Sequence, residues 1–168
     1  METGGVLESP PMRVMVCIDD SVYSQVAFEY YVENFHRPEN EVIVLHVSDS
    51  VTLPTYLYAG GVFSGGVGVL PETTREEVET IRLRNKAIED KYNKKCCDQQ
   101  IKNKVLIVSQ NEHKPGPAIV DAAKKHNVNL IVVGTRGLGM VRRTIMGSTS
   151  SYVIHHCHIP TLVCPTPK

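Results

Sequence analysis

The sequence has no excess of charge of either sign, because its 18 lysines and arginines balance 18 aspartates and glutamates. Bulk charge therefore gives no support to a nucleic-acid partner, and none is expected. The five cysteines also contain no C-x-x-C pair. An odd, scattered set is typical of reduced thiols, so we expect a cytoplasmic protein. A redox-sensing role at Cys96 and Cys97 is the alternative interpretation.

The hydrophobic runs of secreted and membrane proteins are missing as well. Residues 1–11 have neither the basic segment nor the apolar core of a secretory signal, so we expect a flexible tail before one domain over 12–168. Residues 50–71 carry no charge, but five glycines and two prolines interrupt them. A membrane-spanning helix is a poor fit to this composition, and we expect a flexible loop over 48–71 and no membrane partner.

What the sequence does contain is a regular alternation of strands and helices. Near-continuous apolar runs, typical of buried strands, occur at 13–19, 41–47, 104–110, 128–134 and 161–165. The first helix is predicted to start at Asp20 or Ser21, and its apolar positions are Val22, Ala27, Tyr30, Tyr31 and Phe35. A long surface helix is predicted from Glu72 to about Cys96, with an apolar stripe at Val78, Ile81, Ile88 and Tyr92.

This pattern predicts a single doubly wound α/β domain. The five strands form a parallel sheet in the order 3-2-1-4-5, with helices on both faces. Ligands of such sheets bind beyond the carboxyl ends of the strands where the order reverses. The loops that leave there begin at Asp19 and Gly134, so we expect both to face one crevice.

The segment 134–150, GTRGLGMVRRTIMGSTS, has the composition of a phosphate site. It holds four glycines and three arginines, ends in hydroxyl residues, and no acidic residue follows Asp121 in the chain. Glycines let backbone N–H groups approach an anion, and the helix that starts near Gly147 offers unpaired N–H groups. Alternatively, Gly134 is only a hinge, and residues 148–150 only cap the helix.

The same segment is neither a Walker loop nor a dinucleotide fingerprint, since G-x-x-x-x-G-K-[ST] and G-x-G-x-x-G are both absent. Gly134, Gly137, Gly147 and Ser148 instead fit G-x2-G-x9-G-[ST], the motif of nucleotide-binding universal stress proteins. The resemblance extends from VMVCIDDS through VIVLHV and PGPAIVDAA to IPTLVCP. It implies a stress-response protein that binds ATP, or ADP or AMP, with Mg²⁺ held through the phosphates.

The resemblance also implies site residues and a partner. Ile18 and Asp19 would meet ribose and adenine, and Val47 and Val133 would form apolar walls for the base. The phosphates and ribose would be held by Gly134, Arg136, Gly137, Gly147, Ser148, Thr149 and Ser150. Residues 161–165 would pair two copies into a homodimer, because an apolar edge strand invites pairing.

No residue in the sequence is a convincing catalytic base, so we expect a nucleotide-dependent regulator or at most a slow ATPase. Asp19 and Asp20 are explained equally well as helix-capping residues. The His155–His158 run lacks zinc-ligand spacing, and no metal site is expected there. His46 is predicted to be a buried, hydrogen-bonded strand residue. Two alternatives stay open: a dimeric interaction module that uses no nucleotide, and an enzyme acting on an adenylated or phosphorylated small molecule.

Overall fold

The structure, a computed structural model, describes residues 10–50, 72–109, 114–135 and 146–164. The strands in these residues are β1 (Arg13–Ile18), β2 (Glu41–Ser48), β3 (Asn103–Ser109), β4 (Leu130–Gly134) and β5 (Thr161–Cys164). The helices are α1 (Val22–Asn34), α2 (Glu72–Asp98), α3 (Pro115–Lys125) and α4 (Ser148–His156). Nearly all of the predicted tail and of the predicted loop after β2 lies outside the described residues.

The five strands form one parallel sheet in the order β3-β2-β1-β4-β5, which confirms the predicted fold. In the central strand, Val14 pairs with Val42 of β2 on one side and with Leu130 of β4 on the other. Each parallel connection contains a helix, as parallel strands require. The strand order reverses between β1 and β4, so the carboxyl ends of these two strands are neighbours, as predicted.

Two hydrophobic clusters lie on opposite faces of the sheet. On one face, α1 and α2 pack through Phe28, Tyr31 and Tyr92 against residues such as Val16. On the other face, Ile119 and Ala123 of α3 and Val153 of α4 cover Met15, Ile43, Leu45, Ile131 and Val133. Burial on both faces explains why the strands are apolar without alternation.

The predicted apolar stripe of α1 is partly wrong. Ala27 and Tyr31 are buried as expected, but Val22, Tyr30 and Phe35 are exposed large hydrophobic residues. Phe28 and Ser24 are buried instead. Phe28 packs edge-to-face on Tyr92 of α2, with ring centroids 5.2 Å apart, so tertiary contact with α2 sets the buried face of α1. On α2, Ile88 and Tyr92 are buried, while Val78 is exposed.

Candidate functional site

The turn after β1 is held by a compact network of short polar side chains. The Asp19 carboxylate accepts hydrogen bonds from the Ser21 hydroxyl (2.6 Å) and the Ser21 N–H (3.2 Å). The Ser21 hydroxyl in turn accepts from the Ser24 N–H at 3.2 Å, and Ser21 is the N-cap of α1. Between them Asp20 has φ 62°, a left-handed conformation that aspartate tolerates. At least part of the role of Asp19 is therefore to fix the start of α1.

Tyr92 of α2 lies beneath this turn. Its side chain is fully buried, and its hydroxyl makes no direct hydrogen bond with the described residues. Burial raises the pKa of Tyr92, the charges of Asp20, Glu29 and Asp19 add to the effect, and the nearby Ser24 side chain opposes it. The group is therefore a neutral phenol at physiological pH. The sequence pattern assigned Tyr92 to the core but did not indicate that its hydroxyl would be close to the Asp19 turn.

The exit of β2 is tied to the exit of β1 through His46. His46 is buried, and its Nδ1 lies 3.1 Å from the Ile18 carbonyl oxygen. A carbonyl oxygen only accepts, so Nδ1 carries the hydrogen in this contact. This confirms the expected buried, hydrogen-bonded role of His46. One residue on, Val47 is half-buried and packs on the face that α3 and α4 cover.

The exit of β4 forms the other wall of the crevice. Val133 is buried in the α3 and α4 face, whereas the Ile18 side chain belongs to the opposite cluster. After Gly134, the Thr135 N–H donates to the Cys164 carbonyl at 2.9 Å, and the Gly147 N–H donates to the Thr135 carbonyl at 2.8 Å. The chain thus returns at Gly147 to the point where it left the sheet. Arg136 and Gly137 lie outside the described residues.

The start of α4 has the features of an anion site. Gly147 is its N-cap, with φ −61° and ψ 152°, and supplies no side-chain cap. The first intrahelical hydrogen bond runs from the Ser151 N–H to the Gly147 carbonyl at 2.9 Å. The three preceding N–H groups, of Ser148, Thr149 and Ser150, are those that a helix leaves without an internal partner. The helix dipole favours negative charge at the same place.

The hydroxyl groups at this helix start differ in what they can do. Ser150 is buried, and its hydroxyl donates to the Gly147 carbonyl at 3.0 Å. Ser148 is exposed and Thr149 is half-buried. The side-chain donors able to reach a ligand are therefore those of Ser148 and Thr149, while Ser150 holds the turn. Of the predicted phosphate set, the structure brings Gly134, Gly147 and residues 148–150 together.

Three of the five thiols are weak nucleophiles because of where they lie. Burial raises the pKa of Cys17 to about 12, with Cys157 contributing, and burial raises the pKa of Cys96 and of Cys164 to about 11. These thiols stay protonated at neutral pH and are weak nucleophiles. No group of three or more potential metal ligands occurs in the residues that the structure describes. Among those residues, no helix combines the length and apolar character needed to cross a membrane.

The fold and this site define a class: an open parallel α/β protein with an uncapped helix start at its strand-order reversal. Within that class, residues 11–165 match the family model of the universal stress protein family. The chain belongs to that family.

Relatives in bacteria and plants share the name of the family. Universal stress protein PHOS34 of Arabidopsis thaliana is 26% identical over 166 residues, which cover 92% of this chain and 62% of the relative. Universal stress protein YxiE of Bacillus subtilis is 24% identical over 152 residues, which cover 90% of this chain and 97% of the relative. Universal stress protein Slr1101 of Synechocystis is 43% identical over 53 residues, which cover 32% of this chain and 49% of the relative. The matched region thus spans less than two thirds of the Arabidopsis and Synechocystis proteins.

Solved structures share the fold. Universal stress protein UspA from Lactobacillus plantarum superposes with a TM-score of 0.73 at 23% identity, covering 93% of this chain and 99% of that one. A universal stress protein family protein from Arabidopsis thaliana with AMP bound has a TM-score of 0.65 at 20% identity, and the match covers 94% of this chain and 93% of that one. A universal stress protein in complex with cAMP has a TM-score of 0.59 at 18% identity, and the match covers 95% of this chain and 100% of that one.

Proposed function

We propose that this chain is a cytoplasmic stress-response protein that binds an adenine nucleotide, ATP first and ADP or AMP as alternatives. Nucleotide occupancy would regulate its interactions, with slow ATP hydrolysis at most. Two structural neighbours were crystallised with AMP or cAMP, which supports this ligand class. The stronger support comes from the start of α4 in this chain.

The observation that carries the proposal is the glycine N-cap of α4. A serine, threonine, aspartate or asparagine at this position normally satisfies one of the free N–H groups with its own side chain. Gly147 has no such group, so no side chain at the N-cap competes with a ligand for the N–H groups of residues 148–150. Phosphate oxygens are suitable acceptors, and charge-assisted hydrogen bonds contribute about 1.5–3 kcal/mol each. The β- and γ-phosphates of ATP would add contacts from Arg136 and Gly137.

The base would lie on the same face of the sheet as the phosphates. Val47 and Val133 both belong to the face covered by α3 and α4, on which the start of α4 also lies. Ile18 points to the other face and its carbonyl oxygen already accepts from His46. We therefore assign the apolar contacts of adenine to Val47 and Val133. The ribose is assigned to the backbone at Ile18 and Asp19, because a carbonyl oxygen that accepts one hydrogen bond keeps a second lone pair.

Hydrolysis has little support from the chain. The Asp19 carboxylate, at the exit of β1, accepts two hydrogen bonds from Ser21. A base must lie within hydrogen-bond reach of the proton that it takes, and these two contacts of Asp19 are with the start of α1. No potential metal-ligand group of three occurs in the described residues, so Mg²⁺ is proposed to be held through the phosphates. The proposed regulation thus depends on binding rather than on turnover.

Converting the glycine cap into a side-chain cap tests the proposal. In Gly147→Asp, the new carboxylate would occupy the free N–H groups and repel phosphate, while φ and ψ at this position suit any L-residue. We expect titration calorimetry with ATP and magnesium to show affinity reduced at least about tenfold. Thermal stability should be unchanged or higher, because an aspartate cap exceeds glycine by a few tenths of a kcal/mol.

A matched control introduces the same cap elsewhere. Lys114 is the N-cap of α3 and also makes no side-chain cap bond; Lys114→Asp should leave ATP affinity close to that of the wild type. ATP binding of wild-type strength in Gly147→Asp would reject the assigned site. A wild-type protein that binds none of ATP, ADP and AMP would favour the alternative of an interaction module without nucleotide.

We also propose a homodimer formed through β5. This strand is at the edge of the sheet, next to β4. Its residues Thr161, Leu162 and Val163 are half-buried rather than covered. An uncovered edge strand presents unpaired N–H and C=O groups that a second copy would satisfy.

A further inference from the structure

Four basic or titratable side chains from three elements converge at the amino-terminal edge of the sheet, opposite the proposed nucleotide site. They are Arg13 at the start of β1, Lys104 at the start of β3, and Lys125 and His126 at the end of α3. We call this set the amino-edge cluster. Arg13 anchors it, because its Nη1 donates to the His126 carbonyl at 2.6 Å.

The sheet register places Lys104 on the same side as the rest of the cluster. Lys104 is opposite Ile43, whose side chain belongs to the face covered by α3 and α4. Neighbouring strand positions at equal register share a face. The end of α3 lies over this face, so Lys104 and Lys125 are directed to one surface. Both are exposed.

The lysines of this cluster have no acidic partner among the described residues, in contrast to those of α2. Lys86, Lys91, Lys94 and Lys95 of α2 each pair with a carboxylate, at distances from 2.6 to 3.5 Å. Within the cluster, Arg13 pairs with Glu41 at 3.0 Å. Lys125 is favoured by the dipole at the end of α3, but that effect does not explain why Lys104 and Arg13 approach it.

We propose that the amino-edge cluster is a docking surface for an acidic segment of a partner protein. Carboxylates of such a segment would pair with Lys104 and Lys125, which form no ion pair with the described residues. The cluster is small: nucleic-acid binding of ordinary strength uses about 6–10 phosphate contacts. None of the described residues with large exposed hydrophobic side chains belongs to the cluster, so the cluster itself offers a membrane no apolar contact.

His126 would make this docking depend on pH. Burial, and then the charges of Lys104, Lys125 and Arg13, lower the pKa of His126, while Glu41 opposes them. Carboxylates of a bound segment would raise the same pKa. A ligand that raises a pKa binds more tightly as pH falls through it, so affinity should increase from about pH 7.5 to about pH 5.5.

The test is a titration of the full chain with an oligoaspartate peptide, followed by fluorescence anisotropy and by amide NMR shifts. Wild type should bind, with shifts concentrated at residues 103–105 and 124–128. Lys104→Gln/Lys125→Gln should weaken binding by roughly two- to thirtyfold, the change expected from the loss of two exposed charge pairs. His126→Gln should remove the tightening of binding between about pH 7.5 and about pH 5.5.

Lys86→Gln/Lys94→Gln, which removes the same charge from α2, is the matched control and should bind as wild type does. Equal weakening in this control, or no peptide binding by wild type, would overturn the proposal. So would NMR shifts concentrated at the carboxyl edge of the sheet. Stronger binding of oligothymidylate of equal charge, or of phosphatidylserine vesicles, would replace the protein partner with a nucleic acid or a membrane.

Discussion

At the residue scale, the approach of α4 to α3 depends on the missing side chain of Gly116. A Cβ at this buried position would lie 2.6 Å from Cδ1, 2.7 Å from Cγ and 2.9 Å from Cβ of Tyr152. The Tyr152 ring is also stacked on His156, with centroids 3.9 Å apart. The ring is therefore held on two sides, and the atoms nearest to Gly116 are close to the backbone of α4. The position of α4 in turn sets where its free N–H groups lie.

We therefore predict that Gly116→Ala destabilises the protein by about 1–3 kcal/mol, as overpacking of a tight contact does. Urea denaturation measures this loss. Tyr152→Ala removes the two atoms nearest to Gly116. Gly116→Ala should therefore lower the free energy of unfolding clearly less in a Tyr152→Ala protein than in the wild type. Equal costs in both backgrounds would show that the contact with the ring is not what requires glycine.

At the scale of the element, the start of α1 shows how a short polar motif fixes a helix. The Ser21 hydroxyl accepts from the Ser24 N–H and donates to Asp19, so one side chain joins the turn after β1 to the first turn of the helix. The cap is buried. Water therefore offers little replacement for either hydrogen bond once the hydroxyl is removed.

We predict that Ser21→Ala lowers the free energy of unfolding by about 1–2 kcal/mol, the upper part of the range for helix caps. Thermal and urea denaturation check the value. Ser21→Thr keeps the hydroxyl and should recover most of the loss. If threonine and alanine were equally destabilising, the hydroxyl would not be the stabilising group.

The elements themselves were largely predictable from the sequence. Apolar runs such as Val14–Ile18 and Ile131–Val133 are too continuous for a half-exposed sheet, and the helical segments between them require parallel connections. The buried face of α1 was not predictable, because Val22 and Phe28 are both apolar and only α2 decides between them. The sequence indicated hydroxyls at residues 148–150, but not that the Ser150 hydroxyl is directed inward to Gly147.

At the scale of the whole molecule, the parallel sheet places the proposed nucleotide site, the proposed docking surface and the proposed dimer contact at three different edges. Every described strand ends at the edge of the sheet that carries Asp19 and Gly147, and begins at the edge that carries the amino-edge cluster. The proposed dimer contact is at the outer edge of β5, at the side of the sheet. The Ile131 N–H donates to the Pro160 carbonyl and the Thr135 N–H to the Cys164 carbonyl. Since backbone groups alternate along a strand, those of Thr161 and Val163 point away from β4.

This alternation gives a substitution that tests dimer formation without breaking the sheet. Val163→Pro would remove an N–H that points outward, and proline is tolerated at such edge positions. We expect sedimentation velocity to show a dimer for wild type and a monomer for Val163→Pro, with circular dichroism unchanged. Val163→Ala loses a similar amount of side-chain packing but keeps the N–H, so it should stay dimeric.

A wild-type monomer, or a Val163→Pro protein that stays dimeric, would show that β5 does not pair two copies. The proposed nucleotide site should keep its affinity in either case, because its donors belong to α4 and to the loop that closes on Thr135.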